Sequence, residues 1–153
     1  MITKDELASR LLSACAEVKA AEGELTEIDS RFGDADHGLT MCKIATAIEE
    51  SVRESEGGIQ AMLDDVAMAV MTLNGGSAVP LWNTWLDGLQ EAAPEGNEAD
   101  SEDLKAMFAN ALAELSDISG AQVGDKTLMD AFVPAIEAIQ ACEGNEAALF
   151  EAA

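Results

Sequence analysis

Apolar residues recur along most of this chain at intervals of three and four, a period that leaves room for little except helices. Leu7, Leu11, Cys15 and Val18 form one stripe, and Met41, Ala45, Ile48 and Val52 a second. Met62, Val66, Ala69, Val70 and Leu73 form a third, Leu104, Phe108, Leu112 and Leu115 a fourth, and Met129, Phe132, Ile136 and Ile139 a fifth. Side chains so spaced fall on one face of a 3.6-residue helix and need a neighbouring helix to cover them. Hydrophobic residues make up 48% of the chain but aromatics only 4%, with no Tyr, so Ala, Leu and Met do the packing. That composition suits helix-on-helix contact, and no alternating strand pattern competes.

The punctuation between stripes sets the elements. Thr3-Lys4-Asp5-Glu6 reads as a capping box opening the first helix, which Gly23 ends or bends. A short acidic stretch, Glu24 to Arg31, leads into the loop Phe32-Gly33-Asp34-Ala35-Asp36-His37-Gly38. The spacing predicts helices over about Leu39–Ser55 and Ile59–Leu73, then Leu81–Ala93 with Pro80 at its first position. It predicts Glu102–Ser116 capped by Ser101, and a sixth helix after Gly124-Asp125-Lys126-Thr127 running to about Cys142. A seventh pattern starts at Glu146. The expectation is one all-α domain over residues 1–153, an antiparallel up-and-down bundle or barrel of six helices plus the start of a seventh. Polar, glycine-bearing loops precede helices two, four and six. Alternate loops of an up-and-down array lie at the same end, so all three converge on one site.

The charge narrows what such a site can bind. Thirty acids against eight bases leave a net charge of −22, which repels nucleic acid and anionic membranes. A nucleotide is repelled too unless divalent metal inverts the charge locally. Cys15, Cys42 and Cys142 form no CxxC pair and read as reduced thiols rather than a disulfide or zinc site. There is no signal-peptide pattern and no apolar run of membrane-spanning length, so a cytoplasmic location is expected.

Asp29, Asp34 and Asp36 make a D-x4-D-x-D pattern in a loop that Gly33 and Gly38 allow to bend. Carboxylates are the ligands hard cations such as Mg²⁺ and Ca²⁺ prefer, but the EF-hand spacing is absent, since its twelfth position falls on Ala45. Taken singly, each loop has a plainer reading. The aspartates are common caps, Gly75-Gly76-Ser77 a turn, Thr127 a cap, Lys126 a solvated charge, and His37 a structural hydrogen-bonder.

Together the segments EIDSRFGDADHGLTM, LNGGSAVPLWNTW and GDKTLMDAFVPAIEAI resemble, in order and spacing, the signature segments of the nucleotide-binding domain of dihydroxyacetone kinases. The resemblance covers Leu7 to Ala153 and implies an eight-helix antiparallel barrel with ADP or ATP at one end. It implies that Asp29, Asp34 and Asp36 ligate two Mg²⁺ ions. His37, Gly38, Leu39 and Thr40 then line the phosphate side, Gly76, Ser77 and Ala78 the glycine-loop side, and Gly120 and Leu128 the adenine. No catalytic side chain on this chain is implied, because phosphoryl transfer depends on positioning and electrostatics. The implied partners are a substrate-binding kinase subunit and a phosphoryl donor, either ATP or a phosphotransferase-system protein. A binding module without turnover and an acidic helical interaction protein are the competing functions.

Two features depart from the family pattern. Val79 and Asn83 stand where glycines are usual, and Val79 is expected to resist positive φ and to crowd the phosphates. Family members also continue beyond the equivalent of Ala153, through the rest of the seventh helix and an eighth. The expectation is a chain incomplete at its C-terminus, with an apolar seam where those helices would lie.

Overall fold

The computed structural model describes residues 1–153. It is an antiparallel array of eight helices: α1 (Lys4–Ala20), α2 (Glu22–Asp29), α3 (His37–Glu54), α4 (Ile59–Met71), α5 (Ala78–Glu91), α6 (Ser101–Ser119), α7 (Met129–Ala141) and α8 (Glu146–Ala152). The apolar stripes pack inward as their spacing requires, and Ile44, Met62, Leu63, Leu104, Leu115 and Ile139 are fully buried in one core. Thr3 caps α1 with the expected reciprocal pairing to Glu6.

Four local details differ from the sequence reading. The first helix breaks at Ala21 rather than at Gly23, and the acidic stretch after it is a helix of its own, α2, with Gly23 in its first turn. Helix α5 starts three residues before Leu81, so Pro80 is its third residue, still within the turn whose N–H groups need no intrahelical acceptor. Asp100, not Ser101, caps α6, and Asp103 closes a capping box with it. One pair of two-residue strands also forms, β1 (Ile2–Thr3) antiparallel to β2 (Glu98–Ala99), with Ile2 opposite Ala99.

That strand pair marks one end of the array. There Lys4 Nζ donates to the Ser55 carbonyl at the close of α3, and Ile59 N at the start of α4 donates to the Gly96 carbonyl. The N-terminal amine lies 3.2 Å from Glu146 at the start of α8. The opposite end therefore carries the close of α2, α4 and α6 and the start of α3, α5 and α7. The three glycine-bearing loops all lie at this end, called the mouth below.

An aromatic chain links the later helices. Trp85 and Phe132 lie 4.5 Å apart by ring centroids, Trp82 meets Phe132 edge-on at 5.6 Å, and Phe108 meets Phe150 edge-on at 6.2 Å. The Arg10 guanidinium of α1 sits 4.4 Å over the Phe150 ring of α8. Between α1 and the later helices lies an apolar cavity of about 440 Å³, lined by Leu11, Val18, Trp82, Leu104, Phe108 and other apolar side chains.

Candidate functional site

The first loop begins where α2 ends. Gly33 N and Phe32 N both donate to the Asp29 carbonyl, at 2.7 and 3.0 Å, which turns the chain back over the helix end. The Asp29 side chain then reaches across the loop. Its Oδ2 accepts from Asp36 N at 3.0 Å and His37 N at 3.2 Å, the opening N–H groups of α3. Asp29 thus fixes how α3 leaves the loop, and Ala35 adopts φ 61° to complete the reversal. Gly38 is required by the same packing. A Cβ there would lie well under 3.0 Å from the Glu22 carbonyl and the Thr26 hydroxyl of α2.

This fold brings Asp29, Asp34 and Asp36 together, with one carboxylate oxygen of each inside 4.8 Å of the others. Asp36 occupies the cap position of α3 but makes no side-chain capping bond, so neither it nor Asp34 spends its carboxylate on the helix end. A hydrogen bond shared with the Asp34 carboxyl, desolvation, and repulsion from Asp34 and Asp29 raise Asp36 above the usual aspartate range. Three converging hard-oxygen donors, two of them holding no backbone N–H group, suit Mg²⁺ or Ca²⁺.

The second loop reaches the same place. Gly75 packs against Thr40 of α3, where a Cβ would come within 3.2 Å of the Thr40 methyl. Thr40 is buried, whereas Leu39 beside it is half exposed. Val79 differs from its expected behaviour. It sits in the first turn of α5 with ordinary helical backbone, and its side chain is buried against Gly75 rather than turned outward. It neither needs positive φ nor crowds the loop's open side. Asn83 also has a structural task, since its Nδ2 donates to the Ala67 carbonyl and ties α5 to α4.

The third loop is organised by a residue the sequence reading passed over. Asp130 accepts from Gly124 N at 2.7 Å and Thr127 N at 2.9 Å, and those backbone donors hold its carboxyl below the usual range. Thr127 Oγ1 in turn accepts from Met129 N at 3.2 Å. The spacing Thr-x-x-Asp is the capping-box signal that marks this arrangement. Gly120 ends α6 at φ 63°, a left-handed backbone that favours glycine.

A cavity of about 670 Å³ opens at the mouth, lined by His37, Ser77, Ala78 and Leu128, with Leu25 and Trp82 among its apolar walls. The starts of α3, α5 and α7 therefore meet here, as the alternation of loops required, while the Asp29, Asp34 and Asp36 carboxylates do not line this cavity. Gly38, Leu39, Thr40, Gly76 and Gly120 are not among the residues lining it. Val18, Met41 and Trp82 separate it from the interior apolar cavity, since they line both. Helix entry also differs between the two ends. At the far end α1, α6 and α8 are capped by Thr3, Asp100 and Asn145. At the mouth, Asp29 Oδ2 accepts from His37 N at the start of α3 and Thr127 Oγ1 from Met129 N at the start of α7, so only α5 opens with no side chain on its N–H groups. The α5 start, with Ser77 uncommitted, leaves N–H groups free for an anion. The cysteines are free thiols, and burial pushes Cys15 up to about 11.

The DAK2 domain family pattern matches residues 31–153. Over 137 residues the chain is 30% identical to the ADP-binding subunit DhaL of the PEP-dependent dihydroxyacetone kinase of Escherichia coli, covering 88% of this chain and 65% of that one. It is 35% identical over 138 residues to D-erythrulose kinase of Mycolicibacterium smegmatis, covering 88% of this chain and 24% of that protein. The chain thus spans less than two thirds of the length of these relatives. In fold it is similar to the crystal structure of the dihydroxyacetone kinase from C. freundii in complex with AMP-PNP and Mg²⁺. The TM-score is 0.75 at 23% identity, over 95% of this chain and 27% of that one.

Proposed function

The chain belongs to the DAK2 domain family, and from that premise we propose that it is the nucleotide-binding subunit of a dihydroxyacetone-type kinase. In this reading residues 1–153 form one domain that holds ADP or ATP with Mg²⁺ at the mouth. A phosphoryl group passes from it to a small hydroxyketone carried by a partner subunit. The supporting observation is the convergence of the Asp29, Asp34 and Asp36 carboxylates within 4.8 Å, at the end where α5 starts with no side-chain cap. An acidic interaction protein whose aspartates serve as caps accounts for Asp29 but leaves the positions of Asp34 and Asp36 without a reason.

Each part of the mouth has a task in this reading. Asp29 is oriented before any ligand arrives, because two backbone N–H groups hold its Oδ2. Asp34 and Asp36 complete the ligand set. When bound, Mg²⁺, in the family's count of two ions, supplies the positive charge that a chain of net charge −22 needs beside a polyphosphate and a transferring phosphoryl group. His37, Gly38, Leu39 and Thr40 take the phosphates from the α3 side, and Gly76, Ser77 and Ala78 take them from the α5 side. Leu128 with Leu25 and Trp82 offers the adenine an apolar wall, and Gly120 is assigned to the adenine by the family resemblance. No side chain of this chain forms a covalent intermediate.

The name of the E. coli relative, an ADP-binding subunit of a PEP-dependent enzyme, favours bound ADP rephosphorylated by a phosphotransferase-system protein over ATP exchange. The M. smegmatis relative supports a hydroxyketone as acceptor. No helix is long and apolar enough to cross a membrane, and a cytoplasmic location belongs to the same proposal. The test is phosphoryl transfer to dihydroxyacetone by this chain with the substrate-binding subunit of its own organism, using ATP or a phosphotransferase-system donor. Transfer that Asp34→Asn and Asp36→Asn each abolish, with helical circular dichroism unchanged, supports the assignment. Transfer unaffected by either change refutes it.

A further inference from the structure

Helix α2 is anchored unlike the other seven, and it carries one of the three aspartates. It is the one helix with no buried residue: Glu22, Gly23, Glu24, Glu27 and Ile28 are exposed, and Leu25, Thr26 and Asp29 are half-buried. Every other helix buries at least one side chain. The start of α2 has no side-chain cap, because Ala21 both ends α1 and opens α2. Its last turn holds no base, and Asp29 lies at the negative end of the helix dipole. Apart from the turn that follows it, the hydrogen bonds of α2 run only to the start of α3. Asp29 Oδ2 accepts from Asp36 N and His37 N, and the Glu22 carboxylate accepts from the Cys42 thiol at 3.6 Å. On the inner side Leu25 alone reaches the core.

This weak anchorage meets the carboxylate cluster at one point. Asp29 belongs to α2, whereas Asp34 and Asp36 belong to the loop that leads into α3, and their oxygens lie within 4.8 Å of one another. Bare, three like charges at that range push α2 away from α3, and Arg31 in the same loop is already paired with Glu27. A divalent cation among them reverses the sign of that force. The position of α2 matters to the nucleotide as well, because Ala21 and Leu25 wall the mouth cavity opposite Ser77 and Leu128. An eight-residue helix released from its neighbour does not keep its helical form in water, so opening here means unwinding from the Ala21 junction.

We propose that α2 is a clasp closed by metal. Without divalent cation, residues 22–33 open and close against α3; cation held by Asp29, Asp34 and Asp36 seats α2 and, with it, the Leu25 wall of the cavity. The inference rests on the metal site of the kinase reading and adds its regulation. Metal then acts on nucleotide affinity through the position of α2 as well as by neutralising phosphate, and by linkage the nucleotide tightens the hold on metal. Leu25 and Gly23 act here in positioning and ligate nothing.

The experiment is amide hydrogen exchange of the whole chain read by mass spectrometry, in EDTA, in saturating Mg²⁺ alone, and in Mg²⁺ with ADP, with calorimetry recording what binds. In EDTA the amides of residues 24–29 are expected to exchange at least ~10-fold faster than those of α4 and α6. Mg²⁺ alone is expected to slow them at least ~10-fold while α4 and α6 change by less than about 2-fold. Gly23→Ala touches no carboxylate, and its Cβ meets nothing within 4 Å. By favouring the helical form it is expected to slow α2 exchange in EDTA by a factor of about 2–5. An α2 as protected in EDTA as α4, or one whose exchange is unchanged once calorimetry shows Mg²⁺ and ADP bound, overturns the clasp and leaves the kinase reading standing. Slowing spread evenly over all helices marks general stabilisation by ligand and also overturns it. Slowing that appears with ADP but not with Mg²⁺ bound alone assigns closure to the nucleotide and overturns it too. A chain that binds neither Mg²⁺ nor ADP overturns the kinase reading and this inference with it.

Discussion

Replacing Gly38 by Ala tests whether the carboxylate cluster depends on how closely α2 and α3 pack. The added Cβ would meet the Glu22 carbonyl and the Thr26 hydroxyl well under 3.0 Å, and the carbonyl is backbone that cannot rotate away. Reaching an ordinary C···O separation of about 3.3 Å requires α2 to move by about 1 Å. Asp29 rides at the end of α2, and its bonds to Asp36 N and His37 N start at 3.0 and 3.2 Å. A shift of that size takes both past hydrogen-bonding range. Overpacking of this kind costs about 1–3 kcal/mol, and exchange of Gly for Ala in a helix returns at most about 1 kcal/mol. With the full return the net loss is up to about 2 kcal/mol, a fall of up to about 1 M in the urea midpoint at the usual slope for a small domain. The α2 glycine Gly23 provides the control. Nothing lies within 4 Å of a Cβ there, so Gly23→Ala is neutral or stabilises by about 0.5–1 kcal/mol. Urea unfolding followed by circular dichroism reads both variants, and calorimetry reads Mg²⁺-dependent ADP affinity, which Gly38→Ala lowers at least ~10-fold as the ligand set loses its alignment. A Gly38→Ala protein as stable as wild type with unchanged affinity refutes the reasoning.

Gly120→Ala meets no steric neighbour, yet its φ of 63° makes the change unfavourable by roughly 1 kcal/mol, seen as a fall of a few degrees in Tm; an unchanged Tm contradicts this. Asp130 has a depressed folded-state pKa, so the stability it contributes is present above its unfolded-state pKa and is lost as pH falls through the folded value. Thermal melts of Asp130→Asn from neutral to strongly acid pH should therefore show a smaller acid-side loss of Tm than wild type, and parallel curves would count against the loop clamp.

The stripes at three- and four-residue spacing gave away the helices because that signal is local, and the convergence of the loops followed from topology alone. Helix α2 was illegible for the opposite reason. Residues Glu22–Asp29 bury nothing fully, and the segment is held by packing on Gly38, a contact no window of sequence contains. The α6 cap was readable but misassigned by one place, although Asp103 three residues after Asp100 was the better signal. Asp130 carries the same spacing from Thr127, but its second bond, from Gly124 N across a six-residue loop, has no sequence signal. Val79 was misjudged because its neighbours suggested a loop, whereas α5 begins earlier and buries it. The three aspartates were legible as candidates from spacing, but only the folded loop separates Asp29, which is anchored by backbone, from Asp34 and Asp36, which are not.

Nucleotide binding at the mouth turns on one local event, the joint hold of Asp29, Asp34 and Asp36 on divalent metal. Crystals grown with ADP and Mn²⁺ as an anomalous stand-in for Mg²⁺ address it directly. The expected result is anomalous density bonded to carboxylate oxygens of all three aspartates, with the diphosphate between it and the start of α5. Nucleotide bound elsewhere, or ADP in the mouth with no metal at these carboxylates, would contradict it.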